Sequence, residues 1–234
     1  MNLVLTLLLK CLIVTALFAS ETCDWCVFGQ AKITNDVVRI ANLSPGEALS
    51  EVRRHSICVK VMRTNRKVPP GTFAWQDIQP ATIEMNQVTR LAGVMGKTLC
   101  PGELPITGKC ATIILASDAP FSTLIHEYLH YIEIQRDPTW CAFSKTMWVL
   151  GSSDKDLKKL SDKEWDVHLF LWNNYKKMKL DLDDKIAFIS ELVSTAEQRK
   201  NVDPDAKKFL EIENPAKTLN ELIAEYKKTR GINR

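Results

Sequence analysis

Histidine is scarce in this chain. Its 234 residues hold four, His55, His126, His130 and His168, so any site built on imidazole must draw on these. Net charge is also low: 31 basic against 28 acidic residues leave +3, with a pI of about 8.4. That balance is too mild for a nucleic-acid partner, and none is expected. Internal repeats and low-complexity segments are missing, which excludes a solenoid or fibrous architecture. A second CxxC is missing too. Cys23-Asp-Trp-Cys26 therefore lacks the pair that a zinc ribbon needs, and a structural role is preferred to a redox one. No long apolar run follows the first twenty residues, so no stable membrane insertion is expected once that segment is removed.

What is present begins with that segment. Leu3 to Phe18 is almost wholly apolar, broken by Lys10, and Ala16-Leu17-Phe18-Ala19-Ser20 offers small residues for cleavage. Residues 1–19 read as a secretory signal, with an uncleaved membrane anchor as the competing reading. The destination is secreted or periplasmic. Cysteine usage agrees: the signal takes Cys11 away, and Cys23, Cys26, Cys58, Cys100, Cys110 and Cys141 remain. An even number in an exported chain suggests disulfides. Cys100 and Cys110, which bracket a Pro/Gly loop, are the best local pair. Residues 20–234 form one domain, long enough to bury a substantial core.

The N-terminal half alternates strand-like and turn-like text. Candidate strands are Ala31 to Ile40, Ile57 to Met62, Ala81 to Met85 and Cys110 to Ala116. Ser44-Pro45-Gly46-Glu47 carries the capping-box spacing that opens a helix, here running to about Arg54. A second helix is expected from Asp118 or Ser122 to about Gln135, before Asp137-Pro138. Beyond Pro138 the text is helical. Ser161-Asp162-Lys163-Glu164 reads as another capping box, followed by a stripe of Trp165, His168, Leu169, Trp172 and Tyr175. Further helices are expected over Asp184 to Arg199 and Thr218 to Lys228, the last with Leu219, Leu222, Ile223 and Tyr226 inward. The fold class is α+β: a small N-terminal mixed sheet, then a motif helix and a mainly helical C-terminal half.

The chemistry concentrates in His126-Glu127-Tyr128-Leu129-His130. Residues four apart share a helix face, so both imidazoles can close on one metal ion, and Glu127 stands where its carboxylate reaches the adjacent water. Zn2+ suits such donors, with Glu127 as general base. The pattern resembles the zincin metallopeptidases over about a dozen residues. Their metzincin branch adds a glycine and a third histidine soon after, where this chain has Glu133 and Arg136, so that branch is excluded.

A catalytic zinc takes three protein ligands and keeps one position open. Glu191 is the first choice for the third, being the one charge between Ala187 and Ala196, where a buried carboxylate needs a partner. It looks like the glutamate that completes the gluzincin site, although Thr195 stands where thermolysin-like members carry an aspartate. His168, Glu164 and Asp166 are the alternatives. His168, Tyr128, Tyr131 and Tyr175 are candidate donors to the reacting oxyanion, His168 foremost. The resemblance implies an exported zinc peptidase acting on peptide or protein amides. Two other classes stay open: a non-catalytic module stabilised by zinc, and a disulfide-stapled binding domain without metal. Oligomeric state is not legible.

Overall fold

The computed structural model describes residues 31–64, 73–78, 95–103, 107–137, 139–150 and 154–231. The signal, Cys23-Asp-Trp-Cys26 and the expected strand Ala81 to Met85 lie outside these. Asn35 to Arg234 belong to one unit.

Among the described residues two helices come first, α1 (Ala31–Ala41) and α2 (Pro45–Arg54). The expected strand over Ala31 to Ile40 is therefore corrected to a helix. Its β-branched residues favour strand, but Ile33, Val37 and Ile40-Ala41 recur at helical spacing, and Val37, Ile40 and Ala41 are fully buried. Periodicity outweighed propensity. The start of α2 is as expected: Glu47 Oε2 accepts from the backbone N–H of Ser44 at 3.0 Å and from its hydroxyl at 2.6 Å.

The sheet has three described strands, β1 (Cys58–Met62), β2 (Gly96–Leu99) and β3 (Thr112–Ala116), in the order β1-β3-β2. The pair β1–β3 is parallel and β2–β3 antiparallel. Central β3 is buried along its whole length, with Ile113, Ile114 and Leu115 at most 1% exposed. Each such side chain contributes roughly 1.5–3 kcal/mol of burial. Strand β2 escaped the sequence reading because four residues that include a glycine and a lysine carry no alternation to detect. A single-turn helix, α3 (Trp75–Ile78), precedes it.

The cysteine pairing differs from expectation. Cys58 joins Cys110 and Cys100 joins Cys141. Parallel register sets Cys58 opposite Thr112, and Cys58 N–H donates to the Ala111 carbonyl at 2.9 Å, which brings Cys110 alongside Cys58 rather than Cys100. Two disulfides fit an exported protein.

The remaining described elements are helices: α4 (Phe121–Arg136), α5 (Thr139–Leu150), α6 (Asp154–Asn174), α7 (Leu182–Arg199), α8 (Pro204–Glu213) and α9 (Pro215–Thr229). The chain is thus mixed α+β, mostly helical with a small mixed sheet. Helix α4 contacts β2 and β3 as well as α6 and α7, so it stands at the centre of the fold. Neither Asp118 nor Ser122 caps it. Pro120 is the N-cap residue, and the buried Ser122 N–H is satisfied at 2.8 Å by Asp184 Oδ1 from α7.

Helix α6 begins seven residues before Ser161, so the capping box expected there is corrected to mid-helix. Ser161 instead accepts from Arg199 of α7 at 2.8 Å, and the same guanidinium bonds Asp162 at 2.7 Å. Trp165 and Leu169 pack with Leu192, Ala196 and Ala206, joining α6, α7 and α8. None of the described helices is long and apolar enough to cross a membrane.

Candidate metal centre

Four residues apart on α4, His126 and His130 project together, with ring centroids 4.8 Å apart and Nε2 atoms 3.0 Å apart. Helix α6 brings Glu164 against them. Its Oε2 lies 3.1 Å from His126 Nε2 and 3.3 Å from His130 Nε2. Three electron-pair donors this close need a cation among them, either a proton or a metal ion. Donors bonded at about 2.0–2.1 Å to one tetrahedral zinc stand roughly 3.3 Å apart. The observed triangle fits that spacing, and its two imidazoles and one carboxylate suit zinc chemically.

Protonation follows the same geometry. Burial opposes charge on His130, but Glu164 and the hydrogen bonds to Glu133 and Glu164 outweigh it and raise its pKa to about 10. Burial likewise opposes charge on Glu164, yet the adjacent His130 and His126 rings hold its carboxyl well below the usual carboxylate range. These groups are matched to a positive charge.

His168 follows Glu164 by one turn of α6. Its ring centroid is 5.0 Å from that of His126, and His126, Glu164 and His168 offer ligand atoms within 4.8 Å of one another. This largely buried group can bind a metal ion. His168 is 4% exposed and its Nδ1 has no hydrogen-bond partner among the described residues. Burial, then the charge of His126, pushes its pKa down to about 3, so the ring is neutral near pH 7. Two overlapping groups of three thus share His126 and Glu164.

Glu127 turns towards the sheet. It is buried, and the Thr98 hydroxyl lies 2.7 Å from its carbonyl oxygen and 2.9 Å from its Oε2. Strand β2 approaches α4 closely here: a Cβ on Gly96 would lie 2.5 Å from Thr123 Cγ2 and 2.9 Å from Glu127 Cγ. Glycine is what allows the contact.

All of these side chains open on one cavity of about 690 Å³. Met95 and, in β2, Gly96 to Thr98 form one wall, and Trp140, Phe143 and Ser144 of α5 contribute another. Glu191 of α7 lines the same cavity but is more exposed than the histidine–glutamate triangle. Desolvation in the cavity raises its pKa, with His126 opposing and Glu164 and Glu127 adding.

The structure therefore brings His126, His130, Glu164 and His168 into one cluster and sets Glu127 and Glu191 in the surrounding wall. Asp166 is not among the residues lining the cavity. The tyrosines lie elsewhere. Tyr128 donates to Asp36 and Tyr131 to the His55 carbonyl, while Tyr175 packs on Trp172 and Phe188. Of the four oxyanion candidates, His168 alone lines the cavity. Thr98 and Gly96 went unnoticed in the sequence because β2 itself did. Comparison with protein-family models, curated proteins and solved structures finds no match for this chain.

Proposed function

We propose that the chain is an exported, zinc-dependent peptidase of zincin type, in which His126, His130 and Glu164 hold the ion and Glu127 is the general base. The observation that carries this reading is the triangle of donor atoms at 3.0, 3.1 and 3.3 Å with Glu127 beside it in a cavity open to substrate. The spacing favours Glu164 over Glu191 as third ligand. A zinc ion bound there supplies Lewis acidity towards a carbonyl and towards water.

The protein supplies the rest. Glu127 takes a proton from the attacking water and returns it to the departing amide nitrogen, so the carboxylate ends each cycle unprotonated. Thr98 limits where that carboxylate can point. A neutral His168 has an N–H to offer the developing oxyanion. Strand β2 pairs with β3 on one side and lines the cavity with Met95 to Thr98, so an extended peptide can lie along it. The substrate class is peptide or protein amides.

The test is Glu127→Gln. The variant is expected to keep one zinc per chain, located by anomalous scattering at the zinc edge, while cleavage of a mixed peptide library falls by a factor of 10² or more. Unchanged cleavage would remove Glu127 from its role. A second reading has one observation in its favour: His168 is near enough to join His126, His130 and Glu164, and four protein donors would close the sphere as structural zinc sites do. A wild-type chain that binds zinc through all four and cleaves nothing would establish that binding module instead.

A further inference from the structure

We propose that Glu133 is the positioning residue of this metal centre, clamping both ligand-bearing helices through its two carboxylate oxygens. The inference rests on a metal ion at His126, His130 and Glu164 but not on peptidase activity. Glu133 is one turn beyond His130 on α4 and 7% exposed, an unusual place for a carboxylate unless each oxygen is used. Each is used. Oε2 lies 2.9 Å from His130 Nδ1, and Oε1 lies 3.8 Å from Lys163 Nζ.

The first contact fixes a tautomer. A carboxylate can only accept, so His130 Nδ1 keeps its proton, and Nε2, once it has given up its own, faces His126 and Glu164 with its lone pair. It also holds the ring plane, since the imidazole is pinned at one nitrogen while the other faces the site. The second contact reaches the other helix. Lys163 precedes Glu164 on α6, so anchoring its ammonium to α4 sets the height of the ligand carboxylate against the two rings. One buried group thus governs both sides of the donor triangle. The side chains of Glu133 and Lys163 are only 8% and 13% exposed, so solvent screens this pair little.

The test compares Zn2+ affinity, by competition with a chromogenic chelator, and the Co2+ absorption spectrum in four full-length chains. These are wild type, Glu133→Gln, Lys163→Met and the double variant Glu133→Met/Lys163→Met. The double variant replaces the buried pair by apolar groups of similar length, an exchange that folds tolerate. It is expected to bind Zn2+ about 10–100-fold more weakly and to show an altered Co2+ spectrum. Glu133→Gln keeps an acceptor for His130 and is expected to recover most of that affinity. Lys163→Met should fall between wild type and the double variant.

A double variant that binds Zn2+ within twofold of wild type with an unchanged Co2+ spectrum overturns the inference. So does a Glu133→Gln chain as weak as the double variant, because the acceptor would then be irrelevant. A wild-type chain that binds Zn2+ tightly, responds as expected to these substitutions and cleaves no peptide sinks the peptidase reading alone.

Discussion

Thr98 carries one hydroxyl proton and lies within reach of two acceptors on Glu127, its carbonyl and its Oε2. A bond to a charged carboxylate is worth roughly 1.5–3 kcal/mol, so on the proposed mechanism losing it frees Glu127 to rotate without disturbing the histidines and Glu164. Thr98→Val is expected to lower kcat about tenfold or more, with KM and zinc content unchanged, and Thr98→Ser to restore it. Steady-state kinetics with metal analysis read all three quantities. At this scale the motif itself was legible, because two histidines and a glutamate at helical spacing state their geometry without a fold. The residue that completes the donor triangle was weighed only as an alternative. Glu191 stood out because it was the one charge in an apolar stretch, whereas Glu164 was hidden among Lys163, Asp162 and Asp166 as an ordinary solvated face. Polarity of the neighbours is a poor guide when a helix turns one residue of a charged run inward.

Helix α4 begins without a cap of its own, and the start of α7 provides the missing acceptor. Asp184 is 4% exposed, accepts from Ser122 N–H at 2.8 Å and lies beside Asp181. Burial, then the Asp181 charge, pushes its pKa up to about 7 from the usual 3.8. Between those values the folded chain holds a proton that the unfolded chain has released. Stability is therefore highest at the acid end of this window and declines as pH rises through it. The melting temperature is expected to fall by roughly 5 °C from about pH 4 to about pH 7 through this group, and Asp184→Asn to flatten that slope. Thermal melts across the range check it. The sequence announced α2 through its capping box and α4 and the stripe on α6 through periodicity, while the caps expected for α4 and α6 were not there. It misplaced α1, where β-branched residues masked a helical repeat, and missed α8 altogether.

For the whole molecule, the candidate metal centre draws on two helices that are otherwise held by packing and by Arg199 between α6 and α7. An ion that binds only the folded chain stabilises it by about 4 kcal/mol at a thousandfold excess over its Kd. Chelation is expected to lower the melting temperature by roughly 10 °C, reversed by added Zn2+, in a thermal melt with and without EDTA. An unchanged midpoint would mean that no ion is held. The α+β class and the order of sheet, motif helix and helical half were legible from pattern alone. The disulfide connectivity was not, because it depends on which strands lie side by side, and β1 meets β3 only through a parallel crossover whose register no local spacing encodes.

The bond between Cys100 and Cys141 joins the end of β2 to α5. Both segments line the cavity, one through Met95 to Thr98 and the other through Trp140, Phe143 and Ser144. Ser144 adds a second tie, donating to Glu103 Oε1 at 2.7 Å just beyond β2. The two flanks therefore cannot part like jaws, and the aperture keeps a set gauge.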